Sequence, residues 1–481
     1  MRLRELLEAV EVLETKGPAD VEIRGVACDS RRVVPGGLFV AVPGFRRDGV
    51  EFAAEAVARG AAAVAAETLL DLGPDVAAVR VKDARRAAAA FANAFYGDLS
   101  RRMAMVGITG TNGKTTTAYM TRAVLRAAGR RPGLVSTVAY EAEGFSVPAA
   151  RTTPEAPELH ELFHRMKESG CDSVVMEVSS HALVLQRVHG IAFDTCVFTN
   201  LTQDHLDFHG DMEAYFEAKA CLFLDGEPPR RSAINLDDPR GARLFERLPA
   251  ERRISFGFAP EADVRAADVE TGLDGTRFRL SSPWGGGEVR LRLPGRFNVY
   301  NALAALAVGG GMGIELPVML RALEAMPPVP GRLEPVGNRR KTVFVDYAHT
   351  DDALRNVLST LREMCPGKLV VVFGCGGNRD RGKRLLMGRV ADELADFSLL
   401  TSDNPRNEDP EKIVREIAAG FSSPDRYEIR LDRREAIAAG LDRIGRRDIL
   451  LVAGKGHETY QEIGGTVIPF DDREIVKELL S

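Results

Sequence analysis

Cysteine is scarce in this chain: six residues in 481, at Cys28, Cys171, Cys196, Cys221, Cys365 and Cys375, with no C-x-x-C pair among them. The scatter excludes a disulfide scaffold and a cysteine-rich zinc module, and it points to a reducing compartment. Aromatic residues are also few, 6% with a single Trp, while Ala, Val and Leu dominate. Such a core suits helices packed on parallel strands better than an aromatic-rich sandwich. No run approaches 18 consecutive apolar residues, and the first residues hold no uninterrupted apolar stretch, so the expectation is a cytoplasmic, non-membrane protein. Neither sign of charge is in marked excess: the net charge is −5. A protein built mainly to coat nucleic acid or an anionic membrane is therefore excluded. Gly and Pro stay near ordinary usage, which excludes low-complexity disorder. Internal repeats and heptad runs are missing too.

What is present is an alternation of short apolar strands with helical patterns. Met1–Lys16 mixes charge with leucines and reads as an amphipathic helix. Two punctuated segments divide the chain, Tyr96–Arg102 after an Ala-rich helical run and Pro327–Gly331, whose prolines cannot continue a helix. Apolar runs at Met103–Thr109, Ser173–Val178, Asp194–Thr199, Thr342–Asp346, Lys368–Phe373, Phe397–Thr401 and Ile449–Ala453 read as strands buried on both faces of parallel sheets. Polar clusters follow each of them: Gly110–Thr116, Glu177–His181, Asn200–His209, Asp346–Thr350, Gly374–Lys383, Asp403–Arg406 and Gly454–Glu458. Open α/β sheets bind ligands beyond the carboxyl ends of their strands. These clusters therefore predict one large site assembled from two α/β domains that face each other.

The first cluster joins a strand to a helix as Gly110-Thr111-Asn112-Gly113-Lys114-Thr115-Thr116. Its glycines let backbone N–H groups reach phosphate oxygens, Lys114 can neutralise phosphate charge, and the Thr115 hydroxyl can ligate Mg²⁺. Ile108 stands where the strict phosphate-loop pattern has its first Gly. Glu177, at a strand end near this loop, can hold Mg²⁺ directly or through water. His205 and His209 stand four apart. They fit either a zinc pair on a helix face or a loop capped by Asp and His side chains, and no further His or Cys completes a tetrahedral set. Lys219 reads by pattern as a solvated helix lysine, and Arg332 as an interdomain ion-pair partner or a cation that domain closure swings toward phosphates. Asp403-Asn404-Pro405-Arg406 alone reads as an Asx-Pro turn with an exposed arginine. Cys28-Asp29-Ser30-Arg31-Arg32 reads as a turn before a strand.

The loop Gly110–Thr116 resembles that of the Mur ligases and their folylpolyglutamate synthetase relatives. Asn200–Gly210, Tyr215–Lys219, Gly295–Asn301, Gly331–Glu334 and Asp346–Thr350 extend the resemblance in the family's order over essentially the whole chain. It implies an α/β fold of three-domain Mur ligase architecture. Residues 1–98 would bind the uridine nucleotide, 99–331 would form a central ATP-binding P-loop domain on a parallel sheet, and 332–481 a C-terminal Rossmann-like domain for the amino acid. The resemblance assigns Asn298, Arg332, Asp346 and His349 to ATP beside the loop, and makes Lys114, Glu177, His205 and Lys219 catalytic. Thr115, Glu177, His205 and Lys219 would hold Mg²⁺, with Lys219 carbamylated. Ser30, Thr152, Thr153, Ser179 and Arg187 match residues that hold a UDP-muramoyl dipeptide. Many relatives have Gln at the position of Leu185, and Gln186 stands beside it.

Asp403-Asn404-Pro405-Arg406 resembles the motif of the relatives that add meso-diaminopimelate. With Arg379, Gly454 and Glu458 it implies a site for an acceptor with both a distal carboxylate and a distal amine. The expected activity is ATP-dependent amide formation through an acyl phosphate in peptidoglycan precursor synthesis, by a monomer that acts on small molecules and binds no nucleic acid. A lysine-adding ligase is the alternative. A folylpolyglutamate-type ligase and a binding-only nucleotide module or nucleic-acid motor are the more distant ones.

Overall fold

The computed structural model describes residues 1–481 apart from Arg46 and Arg339. Three sheets follow one another along the chain. The first comprises β1 (Val12–Lys16), β2 (Val26–Ala27), β3 (Leu38–Val40), β4 (Ala63–Ala66) and β5 (Ala77–Val81), in the order β1-β5-β4-β3-β2. Only the β1–β5 pair is antiparallel. Here the expected helix over Met1–Lys16 is corrected: the helix covers Leu3–Leu7 and stops, and Val12–Lys16 becomes an edge strand. Leu3 and Leu6 are buried, but Leu13 is exposed, so the leucines form no continuous stripe. Thr15 pairs with Val79 and Lys16 with Ala78, so this stretch closes the edge of the sheet beside β5 instead of adding turns to a helix that has no second apolar stripe to bury.

The second sheet has eleven strands: β6 (Ala104–Thr109), β7 (Pro132–Val135), β8 (Ala139–Ala142), β9 (Phe145–Pro148), β10 (Ser173–Glu177), β11 (Thr195–Phe198), β12 (Arg231–Asn235), β13 (Arg253–Gly257), β14 (Val264–Gly272), β15 (Gly275–Ser282) and β16 (Gly285–Leu291). Their order is β16-β15-β14-β13-β12-β11-β6-β10-β7-β8-β9. The strands from β14 through β7 pair in parallel, and antiparallel strands finish both edges. β6 lies between β10 and β11, so both of its edges are paired, and its side chains are buried on both faces, as its apolar run demands. Gly107 in that strand is a close-approach site: a Cβ there would lie 2.8 Å from the Phe193 ring. Helix Lys114–Ala127 runs back over the sheet against the Ala-rich helix Arg296–Gly311, whose Gly309 lets Val124 and Met319 come close.

The third sheet holds β17 (Glu334–Pro335), β18 (Thr342–Asp346), β19 (Leu369–Phe373), β20 (Phe397–Leu400), β21 (Tyr427–Ile429) and β22 (Ile449–Ala453), in the order β17-β18-β22-β19-β20-β21. Only β17 is antiparallel. A hairpin of β23 (Tyr460–Ile463) and β24 (Thr466–Pro469) follows. The α/β class with parallel sheets is the one composition and apolar runs predict. Thr342–Asp346 and Ile449–Ala453 match their expected bounds, and the other expected strands are trimmed by one residue at one end or both. Among the described residues the six cysteines are unpaired, and no helix is long and apolar enough to cross a membrane.

The third sheet is pinned by a buried ion pair. Arg433 and Asp472, both fully buried, open two neighbouring helices, and the Arg433 guanidinium donates to both Asp472 carboxylate oxygens (2.8 and 2.7 Å) and to the Ala453 carbonyl (2.9 Å). The pair thus fixes the end of β22, just before Gly454. Asp472→Ala leaves a buried guanidinium without its counter-charge and should cost about 3–5 kcal/mol, whereas the double change Arg433→Met/Asp472→Leu should recover most of that loss. Denaturant unfolding of the two variants checks it; equal losses in both would contradict this account.

Candidate active site

The strand ends of the second sheet shape the phosphate loop. Gly110 has φ +147° and Gly113 +84°, conformations that L side chains rarely adopt. A Cβ at Gly110 would also collide with the Thr199 hydroxyl, which donates to the Asn112 carbonyl (2.7 Å). Asn200 clasps the same residue, accepting from the Asn112 N–H (2.9 Å) and donating to its carbonyl (3.2 Å). The loop is therefore set by the end of β11 before any ligand binds.

Within it, Lys114 Nζ donates to the Gly110 and Thr111 carbonyls (2.9 and 2.8 Å). Lys219 Nζ donates to the same Gly110 carbonyl (2.8 Å). Lys219 is 1% exposed, which corrects its reading as a solvated helix lysine. The helix Met212–Leu224 is apolar nearly all round and buries Tyr215, Phe216, Ala218 and Lys219 together, so periodicity could not show which way the lysine faces. Burial pushes the Lys219 ammonium well below the ordinary lysine value of 10.5, and the Lys114 charge pushes it the same way. The Tyr215 ring lies 4.6 Å from Lys219 Nζ, and the Tyr215 hydroxyl hydrogen-bonds with that of Thr111 (3.2 Å).

Glu177 ends β10 fully buried, and its two oxygens accept from the N–H (2.7 Å) and hydroxyl (3.1 Å) of Thr137. His205 stands before the short helix Leu206–His209 with φ +54°, not on its face. Its ring lies 3.3 Å from the Asp204 carboxylate and, through burial, titrates below the usual histidine range. His209 turns to the Ser180 hydroxyl (2.9 Å). Among the described residues no three His, Cys, Asp or Glu side chains gather as a metal set, so the zinc-pair reading fails. The donors that are present suit a hard cation held largely by non-protein oxygens, as Mg²⁺ is on nucleotide phosphates.

The third sheet brings its own strand ends to this loop. Arg332 donates to the Thr115 hydroxyl (3.0 Å) with its guanidinium 4.5 Å from the Tyr347 ring centre. Asp352 accepts from the Asn112 amide (2.6 Å) and the Thr202 hydroxyl (3.0 Å), and the His457 ring meets the Thr137 carbonyl (3.1 Å). Asp346 accepts from the backbone of Leu333 (2.6 Å) and Ala348 (2.7 Å), and burial pushes its carboxyl up. His349, pushed down to about 4 by burial, hydrogen-bonds to the Tyr347 carbonyl (2.8 Å). Asn298 sits a step behind the loop: it donates to the Pro294 carbonyl and accepts from the Asn301 side-chain amide, whose oxygen accepts from the Thr117 hydroxyl.

Two further groups complete the site. Thr152, Thr153, Ser179 and Arg187 continue from Glu177: Thr152 meets Thr137, Thr153 donates to the Glu177 carbonyl (2.9 Å), and Arg187 donates to the Thr153 carbonyl (3.1 Å) and pairs with Glu155 (2.6 Å). Ser30 lies apart from them in the first sheet's unit, donating to Glu55 (2.9 Å); Arg32 ties that unit to Glu158 and Glu161. Gln186 folds onto the Leu183 carbonyl (3.3 Å).

At the third sheet, Asp403 and Asn404 are buried, and Gly454 has no room for a Cβ, which would lie 2.5 Å from an Asp403 oxygen. Arg406, with φ +52°, is half-buried and bound to the Gly377 carbonyl (2.8 Å) and Glu462 (3.2 Å), which corrects its reading as an exposed turn arginine. Its side chain and that of Arg379 flank Gly376. Pro405 packs its carbonyl against Gly377, and Glu458 accepts from Asn404 (2.8 Å). Motif reading missed Thr137, Asn301 and Asp352. Asp352 is an acid in a helix's first turn, which alone signals only a favourable helix dipole, and Thr137 carries no local signal at all.

Family models described as the Mur ligase family catalytic domain, the Mur ligase middle domain and the Mur ligase glutamate ligase domain match residues 22–96, 108–309 and 331–456. A UDP-N-acetylmuramoyl-L-alanyl-D-glutamate–2,6-diaminopimelate ligase of Solibacter usitatus is 47% identical, covering 100% of this chain and 98% of its own. One of the same name from Caldanaerobacter subterraneus is 44% identical, covering 100% and 99%. A solved structure of a ligase of that name superposes with a TM-score of 0.70 at 33% identity, covering 100% of this chain and 98% of that one. A MurF ligase from Thermotoga maritima in complex with ADP shares the fold, with a TM-score of 0.66 at 21% identity over 95% and 97%.

The shared Gly110 contact has a pH consequence. A lysine whose folded value is depressed makes the unfolded chain bind more protons, so stability rises with pH from the depressed value up to 10.5. In CO₂-free buffer, Lys219→Met should raise the unfolding temperature more at pH 6 than at pH 9.5. A pH-independent gain would contradict the depressed ammonium.

Proposed function

This chain belongs to the Mur ligase family, and from that premise we propose that it joins meso-2,6-diaminopimelate to the γ-carboxylate of UDP-N-acetylmuramoyl-L-alanyl-D-glutamate, driven by conversion of ATP to ADP and phosphate. The observation that carries the reading is the meeting of two carboxyl-end sheet edges. The phosphate loop lies on one edge, and Arg379, Asp403, Asn404, Arg406 and Glu458 lie on the other. Full-length relatives named as 2,6-diaminopimelate ligases support the choice of acceptor.

A carboxylate is too poor an electrophile for an amine to attack directly. The loop N–H groups from Gly110 to Thr116 and the Lys114 ammonium hold the triphosphate so that the γ-phosphoryl group faces that carboxylate, and they spread the charge that develops in transfer. Arg332, already at the Thr115 hydroxyl, adds a second cation there. Asn298 supports the loop through Asn301, while Asp346 and His349 border the nucleotide on the third-sheet side. A divalent cation, Mg²⁺, supplies charge neutralisation on the phosphate oxygens when bound. Thr115, Glu177, His205 and Lys219 would hold it. Lys219 joins that set as a carbamate: its neutral amine adds to CO₂ and loses a proton, which turns a buried cation into an oxygen-bearing anion.

Ser30, Thr152, Thr153, Ser179 and Arg187 hold the UDP-linked precursor, with Arg187 as the cation facing its anionic part. On the other side, Arg406 and Arg379 take the acceptor's distal carboxylate, and Asp403, Asn404 and Glu458 its distal amine, while Gly454 and Pro405 shape the floor. The acceptor's other amine attacks the acyl phosphate, and the tetrahedral intermediate collapses to amide and phosphate. The contacts of Arg332, Asp352 and His457 across the cleft keep water away from the intermediate. In this reading residues 1–98, 99–331 and 332–481 divide precursor, ATP and acceptor among them, in a monomer of the cytoplasm.

ADP release measured with the dipeptide precursor and either diaminopimelate or lysine tests the proposal. Turnover should require ATP, precursor and diaminopimelate together, and comparable rates with lysine would overturn the acceptor assignment. Arg406→Ala should raise the KM for diaminopimelate by about tenfold to a hundredfold, the worth of a lost charge-assisted hydrogen bond, and leave the KM for ATP unchanged. Lys219→Ala should lower kcat by about a hundredfold or more.

A further inference from the structure

Lys455 is fully buried one residue beyond Gly454, and the reaction as described above gives it no task. Its ammonium donates to one oxygen of Glu458, Oε2 (3.0 Å), and to the Asn404 side-chain oxygen (3.2 Å), and lies 5.4 Å from the Tyr460 ring centre. The Asn404 oxygen also accepts from the Glu462 N–H (3.0 Å), and its amide nitrogen donates to the same Glu458 Oε2 (2.8 Å). The orientation of the Asn404 amide is thus fixed at both ends. Glu458 is used asymmetrically: Oε2 takes both protein donors, while Oε1 accepts no hydrogen bond among the described residues. Formal charge follows the same arrangement. Asp403 and Glu458 bring two negative charges to this pocket and Lys455 brings one positive, which leaves a single negative charge for a single ammonium.

The geometry points to Lys455 as a positioning residue that fixes Glu458 and Asn404 so that Glu458 Oε1 is presented to the distal ammonium of the acceptor. The inference rests on the acceptor assignment above. Lys455 touches no substrate; it acts through Glu458. It also keeps the pocket's surplus at one charge, because burial and the nearby Asp403 both push the Glu458 carboxyl upward while Lys455 pulls it down. Tyr347, Tyr460 and Arg433 also face this carboxylate, and Arg433 carries its own counter-charge in Asp472, so it does not change the count.

The test compares diaminopimelate with 2-aminopimelate, which keeps the distal carboxylate but has hydrogen in place of the distal amine. The full-length enzyme should prefer diaminopimelate strongly in kcat/KM. Lys455→Met should shrink that preference by about tenfold or more through the KM for diaminopimelate, with the KM for ATP unchanged. Glu458→Gln should shrink it likewise, and Lys455→Met/Glu458→Gln should match Glu458→Gln alone. The double variant removes the buried pair together, so its comparison with Glu458→Gln decides the question even where Lys455→Met alone fails to fold. A Lys455→Met enzyme that slows both acceptors equally, or a double variant that loses further preference beyond Glu458→Gln, would overturn the proposal. Wild-type enzyme that turns over lysine and not diaminopimelate would overturn the acceptor assignment itself, and this inference with it.

Discussion

The carbonyl oxygen of Gly110 receives two lysine side chains, the half-buried Lys114 and the buried Lys219, neither paired there with a carboxylate. A carbonyl dipole cannot balance two ammonium charges in a low-dielectric setting. The cost shows in both side chains, whose ammonium groups are pushed down by burial. The loop is thereby left in need of anions. In the proposed reaction, triphosphate oxygens would answer the need at Lys114 and capture of CO₂ would answer it at Lys219. The backbone makes the arrangement possible, because Gly110 at φ +147° can turn its carbonyl inward only while Thr199 packs where a Cβ would stand.

The rest of the molecule positions partners around that point. The segment just after β11 supplies Thr199 and Asn200 to hold the loop, and β10 supplies Glu177. The third sheet delivers Arg332 and Asp352 from the far side, so two sheets with separate cores share one polar seam. Charges of both signs stand along the seam: Lys114 and Arg332 with Asp352 and Glu177 at the phosphate loop, Arg379 and Arg406 beyond it, and the carboxylates of Asp403 and Glu458 with Lys455. A net charge of −5 conceals this arrangement, since most of the other ion pairs lie on the surface and contribute little.

Much of the fold was legible because buried parallel strands announce themselves as short apolar runs, and the polar residues just after them mark the site. The loop glycines were legible for the same reason, since only their backbone freedom explains them. The N-terminal segment was not, because a charged, leucine-containing stretch fits a short helix plus an edge strand as well as one long helix, and the pairing of Thr15 with Val79 is a long-range fact. Lys219 reads wrongly by pattern because its helix is apolar nearly all round, with no clear apolar stripe to say which side faces inward. Asp352 and Thr137 were invisible, since what they touch is set by how two sheets meet. Lys455 stands inside the polar segment Gly454–Glu458, but only its burial separates it from an ordinary surface lysine.

The seam as a whole amounts to one chemical claim: a carboxylate oxygen of the precursor is first bonded to phosphorus, and an amine then displaces that oxygen from the acyl carbon, so that it leaves with the phosphate. Labelling both oxygens of the precursor's glutamate γ-carboxylate with ¹⁸O and analysing the phosphate released by mass spectrometry tests it directly. The account predicts one ¹⁸O atom in each phosphate formed, in step with amide product. Phosphate free of label alongside normal amide formation would contradict it.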